Sequence, residues 1–72
     1  MKRPDSLGTR MRQVRREADL TQKEIADMLG IKRNTYTHYE INASSPPVDT
    51  LRDFAKIMDV STDYLLGLTD TK

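Results

Sequence analysis

The chain has 72 residues, about the size of one small domain, and it contains no cysteine, which excludes a disulfide framework. The charged N-terminus is followed by more charge rather than by the apolar run of a signal peptide or membrane span, so we expect a soluble, cytoplasmic protein. A net charge of +1 is by itself weak support for a nucleic-acid partner.

Apolar residues at helical spacing predict a first helix from about Leu7 to Ala18, preceded by Asp5 and Ser6, which can cap it. The opposite face of this helix carries charge and is expected to be mostly solvated. Its charged residues are Arg10, Arg12, Arg16 and Glu17.

A second helix is predicted over residues 22–29, because a capping box at its start, a buried apolar stripe and a glycine at its end agree on its bounds. Thr21 and Glu24 have the spacing of a capping box, in which each side chain bonds a free backbone N–H at the helix start. Gly30 is well placed as the left-handed residue that ends the helix. The predicted buried stripe consists of Ile25, Ala26, Met28 and Leu29.

Three more helices are predicted in the second half of the chain. The third begins soon after Gly30 and should end near Asn42, since residues 33–41 contain no glycine or proline, and the fourth covers residues 48–58. Ser61 caps a short fifth helix that reaches Leu66, and Gly67 ends it. Because no long segment alternates with period two, we predict an all-α fold, a bundle of five short helices.

The second and third helices are joined by three residues that begin with a glycine. This arrangement is the signature of a helix-turn-helix motif, here about residues 22–41, whose second helix enters the DNA major groove. On a helical wheel, one half of the third helix presents Arg33, Asn34, Thr37, His38 and Ile41. The other half, expected to face the core or its edge, presents Thr35, Tyr36, Tyr39 and Glu40.

The outward-facing side chains have the chemistry of base recognition. Arg33 offers a fork that matches the two acceptors of guanine, and Asn34 can pair bidentately with adenine. Thr37 can use either its hydroxyl or its methyl group on a base edge. His38, the single histidine, has no nucleophile or ligand set around it, so we interpret it as a groove-facing residue and predict no enzyme, metal site or cofactor.

Charge is distributed unevenly along the chain. Residues 1–33 carry nine basic and five acidic side chains, whereas the remainder carries three basic and six acidic ones. This asymmetry favours an oriented contact with a polyanion, and an ordinary solvated surface is the alternative.

Three stretches together resemble a known family. They are Leu7-Gly8, LTQKEIADMLGIKRNTYTHYE at residues 20–40 and PPVDTLRDFAKIMDVSTDYLLG at residues 46–67. They closely resemble the DNA-binding domain of the phage-repressor helix-turn-helix family, the Cro and cI-like proteins also called XRE. The resemblance covers residues 7–67 and leaves short tails at 1–6 and 68–72. It implies a five-helix domain that binds double-stranded operator DNA and acts as a transcriptional regulator, which we expect to be a repressor.

The resemblance also implies roles for individual residues. In the family, an arginine of the first helix commonly pairs with the glutamate that closes the third, here Arg15 with Glu40. The glutamine just inside the second helix touches a phosphate and steadies the reading helix, and Gln22 matches it. The positions that meet bases map onto Lys32, Arg33, Asn34, Thr37 and His38.

The sequence departs from the family pattern at several positions. Lys32 replaces a capping serine, so the third helix loses a side-chain cap. Tyr36 replaces an aliphatic residue, and we expect it to be buried with its hydroxyl reaching the surface or a phosphate. Asp59 replaces a glycine, which predicts left-handed backbone there. The usual basic residues after the third helix are missing, which leaves Asn42, Ser44 and backbone amides as phosphate partners there. The other predicted phosphate contacts are Thr21, Gln22 and Thr35.

The resemblance and an apolar C-terminal half predict a homodimer, with Val60, Leu65, Leu66 and Leu68 as interface candidates. Third helices in successive major grooves would lie about 34 Å apart, which predicts a near-palindromic operator with half-site centres roughly 10 base pairs apart. The alternative is an antitoxin or adaptor that keeps the fold but acts mainly through a protein partner. The polar, base-compatible third helix favours DNA, and a regulating protein partner is left open.

Overall fold

The computed structural model describes residues 6–72, which form five α-helices and no strand. The helices are α1 (Leu7–Glu17), α2 (Gln22–Leu29), α3 (Arg33–Glu40), α4 (Val48–Met58) and α5 (Thr62–Leu65). The all-α prediction is confirmed, although α1 and α5 each end one residue earlier than predicted and α3 ends two residues before Asn42. None of the helices in this range is long and apolar enough to cross a membrane. The predicted capping by Asp5, and most of the predicted N-terminal tail, lie outside the described residues.

Side-chain caps explain where three helices begin. The Ser6 hydroxyl accepts a hydrogen bond from the Thr9 amide at the start of α1, and the Ser61 hydroxyl caps α5 in the same way. At the start of α2 the predicted capping box is present in both directions, with Thr21 and Glu24 each bonding the other's backbone amide. The structure therefore begins these helices at the residues whose side chains can satisfy free N–H groups.

Left-handed backbone ends or follows most of the helices. Gly30 closes α2 with φ 72°, a conformation that costs glycine little. Asp19, Asn42 and Asp59 adopt similar angles, with φ 59°, 62° and 57°. Asp59 is the position where the sequence predicts this conformation, and it closes α4. Aspartate and asparagine tolerate left-handed backbone better than most side chains do.

The core is built around an aromatic cluster between α3 and α4. The Tyr36 and Phe54 rings are stacked with centroids 6.2 Å apart, and Tyr39 meets Tyr36 edge-on at 6.4 Å. Tyr36 and Phe54 are fully buried. The other buried apolar residues are Met11, Val14, Ile25, Ala26, Ala55 and Leu65. α3 is thus anchored from behind, through its tyrosines.

The hydroxyl of Tyr36 does not reach the surface, so that expectation is wrong. It is buried with no hydrogen-bond partner among the described residues. Burial raises the pKa of Tyr36 strongly, and the negative charge of Glu40 acts in the same direction. The tyrosine is therefore a neutral core residue, and no phosphate can be bound by its hydroxyl.

Two apolar residues lie elsewhere than predicted. Met28 is 53 % exposed. At about 100° per residue it lies roughly 60° from Ile25 on the side away from Ala26 and Leu29, so it is at the edge of the stripe. Leu65, a candidate for the dimer interface, is fully buried in the core instead.

Arg10 is buried, although the sequence interpretation places it on a solvated face. Its guanidinium lies over the Tyr64 ring and donates hydrogen bonds to the Tyr64 and Thr69 carbonyls at 3.1 and 3.3 Å. It also reaches Asp70 at 3.2 Å. The last residues of the chain therefore lie against α1, and the Lys72 carbonyl accepts a bond from the Ser61 amide at the start of α5.

Candidate nucleic-acid interface

The turn between α2 and α3 fixes the angle at which the two helices meet. The Gly30 amide bonds the Asp27 carbonyl at 3.1 Å, and the Ile31 amide bonds the Ala26 carbonyl at 3.0 Å, so the chain reverses tightly. Ile31 packs against the core from within this turn. Lys32 then opens α3 with no side-chain hydrogen bond at the helix start, as the sequence predicts.

α3 has one buried and one exposed face. Tyr36, Tyr39 and Glu40 are buried, and Thr35 is half-buried beside them. Thr37 is half-buried at the edge of the opposite face. The remaining predicted base-contacting residues, which are all exposed, are Lys32, Arg33, Asn34 and His38. The structure therefore leaves these four side chains exposed, Lys32 at the start of α3 and the other three on its solvent side.

A buried ion pair joins α3 to α1. Arg15 Nε donates to Glu40 Oε2 at 2.6 Å, and Nη2 donates to Oε1 at 3.2 Å, so the contact is bidentate. The Glu40 side chain is only 1 % exposed. Burial alone would raise the pKa of Glu40, but Arg15, the nearby Tyr36 hydroxyl and Gln22 together outweigh burial and hold that pKa below its usual range. Glu40 is therefore ionised and acts only as an acceptor.

Gln22 connects α2 to the same carboxylate. Its Nε2 donates to Glu40 Oε1 at 3.0 Å, while its Oε1 lies 3.0 Å from the Thr37 hydroxyl. Because an amide nitrogen carries two hydrogens, one donor of Gln22 is left over for a phosphate. The predicted roles of Gln22, in steadying α3 and in contacting DNA, are thus geometrically compatible.

The other predicted phosphate contacts differ in which of their groups already bond within the protein. Thr21 is exposed, and its hydroxyl accepts a bond from the Glu24 amide at 3.0 Å, which leaves the hydroxyl hydrogen free to donate to a phosphate. The amides of Ala43 and Ser44 bond the His38 carbonyl, which commits them within the protein. The exposed Ser44 hydroxyl has no bond among the described residues.

Asn42 makes hydrogen bonds to the start of α1 that the sequence does not predict. Its Oδ1 accepts a bond from the Gly8 amide at 3.1 Å, and its Nδ2 donates to the Ser6 hydroxyl at 2.9 Å. One amide hydrogen is left for a phosphate. A left-handed asparagine just after a helix is a common helix-ending residue, but nothing in the sequence pairs it with a position 34 residues earlier.

Gly8 brings α1 into backbone contact with α3. A Cβ atom at Gly8 would lie 2.4 Å from the Tyr39 carbonyl oxygen and 2.5 Å from that of Glu40. No side chain fits at this position, so the close approach of the helices requires glycine. α3 is thereby held by α1 at its C-terminal end and by α2 along its length.

Curated relatives align with most of this chain. The uncharacterized HTH-type transcriptional regulator YobD of Bacillus subtilis is 44 % identical over 61 residues, which are 85 % of this chain and 54 % of YobD. The antitoxin HipB of Escherichia coli is 36 % identical over 69 residues, which are 96 % of this chain and 74 % of HipB. The chain spans about half the length of the first curated relatives it matches.

Solved structures share the fold. The P22 c2 repressor, in a crystal structure with a synthetic operator, superposes with a TM-score of 0.82 at 26 % identity, over 86 % of this chain and 94 % of the repressor chain. The model of the Helix-turn-helix family matches residues 11–65, most of the chain and all of α2 and α3. Together with the geometry of α2, α3 and their glycine turn, this match shows that the chain belongs to the helix-turn-helix family of Cro and cI-like, or XRE, regulators.

Proposed function

We propose that this protein binds specific double-stranded DNA sites by placing α3 in the major groove, and that it represses transcription there. The observation that carries the proposal is the row of exposed Lys32, Arg33, Asn34 and His38 on a helix whose other face is buried. An α-helix about 10–12 Å across fits a major groove about 12 Å wide. The P22 c2 repressor, which shares this fold, was crystallised with a synthetic operator.

Individual roles follow from side-chain chemistry. Arg33 reads guanine through its two-pronged guanidinium, and Asn34 reads adenine through its amide. Lys32 and His38 contact bases or the backbone on either side of them. Predicted phosphate contacts position the helix without reading sequence. They are Thr21, Gln22, Thr35, Asn42 and Ser44.

The protein acts on DNA as a homodimer in this proposal. Leu66 and Leu68 are 48 % and 73 % exposed, and they supply apolar surface near the end of the chain for a second copy. Two copies related by a two-fold axis read a near-palindrome whose half-site centres lie roughly 10 base pairs apart. Such a regulator works in the cytoplasm with the DNA, and the proposal assigns it no catalysis.

Selection of binding sites from a random DNA pool, followed by anisotropy titration, tests the proposal. We expect a site with two-fold repetition and an affinity that falls steeply as salt is raised, because phosphate contacts release counterions. A selected site with no repeat would contradict the dimeric arrangement. The absence of salt-dependent binding to any sequence would contradict the DNA-binding function itself.

Arg33→Ala is the sharpest test of the reading face. We expect it to weaken binding to the selected site by about 1–3 kcal/mol and to relax the preference at one base pair. Arg52→Ala is the charge-matched control, since Arg52 is an exposed α4 residue with ion pairs to Asp49 and Asp53. Equal losses for the two variants, with sequence preference unchanged, would show that Arg33 does not read bases.

A function through a protein partner is the second candidate, supported by the similarity to the antitoxin HipB. The same titration separates the two proposals. A protein that binds its partner tightly but prefers no DNA sequence would favour the second candidate, whereas the row of exposed polar residues on α3 favours the first.

A further inference from the structure

Thr37 differs from the other proposed base-reading residues because its hydroxyl is already engaged. The hydroxyl oxygen lies 3.0 Å from Gln22 Oε1 and 3.0 Å from the Arg33 carbonyl oxygen. Both neighbours are acceptors, and a threonine hydroxyl carries only one hydrogen. That hydrogen is therefore shared between two protein acceptors and is not free to bond a base.

The Gln22 amide is held in the orientation that this arrangement requires. Its nitrogen lies 3.0 Å from Glu40 Oε1, and an ionised carboxylate can only accept. The nitrogen must therefore face Glu40, which turns the amide oxygen toward Thr37. Arg15 bonds both oxygens of the same carboxylate and keeps it in place. A chain of directed hydrogen bonds thus runs from Thr37 through Gln22 to the buried ion pair.

We propose that Thr37 is a specificity-determining residue that reads thymine through its methyl group. The inference rests on the proposed function, since it names what one residue of the DNA-reading helix recognises. With the hydroxyl hydrogen directed to Gln22 and to the preceding turn, the half-buried side chain on the edge of the reading face keeps its methyl group and the acceptor lone pairs of its oxygen. A threonine methyl packs well against the C5-methyl of thymine, which cytosine and uracil lack.

The role predicted from sequence thereby becomes narrower. A hydroxyl without a free hydrogen cannot donate to guanine O6, guanine N7 or thymine O4. Thr37 contributes apolar discrimination, whereas Arg33 and Asn34 on the preceding turn contribute hydrogen bonds. Gln22 is then a positioning residue, because it sets which part of Thr37 faces the groove.

The test uses the wild-type protein and DNA in which one thymine at a time is replaced by deoxyuridine across the selected half-site. Loss of one packed methyl group corresponds to a loss of affinity of about fourfold. We expect this loss at one position only, the position that Thr37 faces. Because this arm needs no variant, poor folding of a variant cannot obscure it.

Two variants assign the effect to Thr37. Thr37→Ser removes the methyl and keeps the hydroxyl, so it is expected to bind the thymine and uracil sites equally well. Thr37→Val keeps a methyl and removes the hydroxyl, so it is expected to retain the fourfold preference for thymine while binding all sequences more weakly through a loosened Gln22. A thermal melt of each variant without DNA checks the fold.

The reverse pattern would overturn the inference, with Thr37→Ser keeping the preference for thymine over uracil and Thr37→Val losing it. Specific wild-type binding that no uracil substitution weakens would overturn it as well, and would leave the proposed function standing. Failure of the wild-type protein to bind any sequence specifically would overturn both.

Discussion

Gly8 lies where the first turn of α1 meets the end of α3, a contact made by backbone on both sides. Beside it, the Asn42 side chain bonds the Gly8 amide and the Ser6 hydroxyl. These bonds satisfy an otherwise free N–H at the start of α1 and tie it to the loop after α3. At the scale of single residues, α3 is therefore positioned by the absence of a side chain at Gly8 and by the side-chain amide of Asn42.

Gly8→Ala is expected to destabilise the protein, although alanine is the better helix former by about 1 kcal/mol. The new Cβ would lie 2.4 Å from the Tyr39 carbonyl oxygen, and backbone cannot move aside cheaply. Such overpacking typically costs about 1–3 kcal/mol, which outweighs helix propensity. Urea denaturation measures the difference.

Gln13→Ala is the control for this substitution, because Gln13 is exposed on the same helix and only propensity acts there. We expect a change within about 0.5 kcal/mol for the control. A Gly8→Ala variant as stable as the Gln13→Ala variant would show that α1 and α3 separate easily.

At the scale of elements, three helices converge on one carboxylate. Glu40 on α3 accepts from Arg15 on α1 and from Gln22 on α2. A negative charge at a helix C-terminus and in the core is unfavourable unless it is fully paired. The pairing therefore specifies how α1, α2 and α3 are arranged, and it is connected to the DNA-reading face through Gln22.

This pairing predicts loss of stability in acid. The pKa of Glu40 is lowered in the folded protein, so its contribution is present above the unfolded value of about 4.3 and is lost as the pH falls through the folded value. We expect the urea concentration at the midpoint of unfolding to decrease as the pH is lowered from 7 to 3. Glu40→Gln should reduce stability at pH 7 by about 3–5 kcal/mol, because Arg15 stays buried without its partner.

Glu40→Gln should also lose less stability than the wild type when the pH is lowered. Glu24 needs its own control, since hydrogen bonds with Thr21 lower its pKa too, at an exposed capping box. A Glu24→Gln variant that keeps most of the acid dependence assigns that dependence to Glu40. An unchanged acid dependence in Glu40→Gln would contradict this assignment.

At the scale of the whole molecule, local sequence signals predict the helices but not the contacts between residues that are far apart in the sequence. The boundaries of α2 follow from its caps and those of α4 from apolar periodicity, and both signals act over a few residues. The burial of Arg10 and the bond from Asn42 to Gly8 depend on which helices meet, so periodicity cannot reveal them. Arg15 and Glu40, which the structure brings together, were paired by the family resemblance rather than by spacing.

The row of exposed residues on α3 was also predictable, because one helical wheel separates it from the tyrosines. The engagement of the Thr37 hydroxyl was not, since it depends on how closely α2 approaches α3 and on which way the Gln22 amide is turned. Side-chain positions that depend on one helix alone can be predicted from the sequence. Hydrogen bonds that depend on how two helices pack can be read only from the structure.

Arg10 joins the beginning of the described chain to its end, and we predict that Arg10→Ala lowers the free energy of unfolding by about 2–3 kcal/mol. Asp70 contributes little to this value, because its side chain is 99 % exposed and exposed ion pairs are worth about 0–1 kcal/mol. The bonds to the Tyr64 and Thr69 carbonyls and the packing on the Tyr64 ring make up most of it.

Hydrogen exchange distinguishes this local role from general destabilisation. The Ser61 amide, at the start of α5, bonds the Lys72 carbonyl at 2.9 Å, so its exchange reports whether the C-terminal residues stay in place. In Arg10→Ala we expect the Ser61 amide to lose more protection than amides in α2. Arg12→Ala removes the same charge from an exposed neighbour and should change neither stability nor exchange appreciably. Equal behaviour of the two variants would mean that the C-terminal residues are held without Arg10.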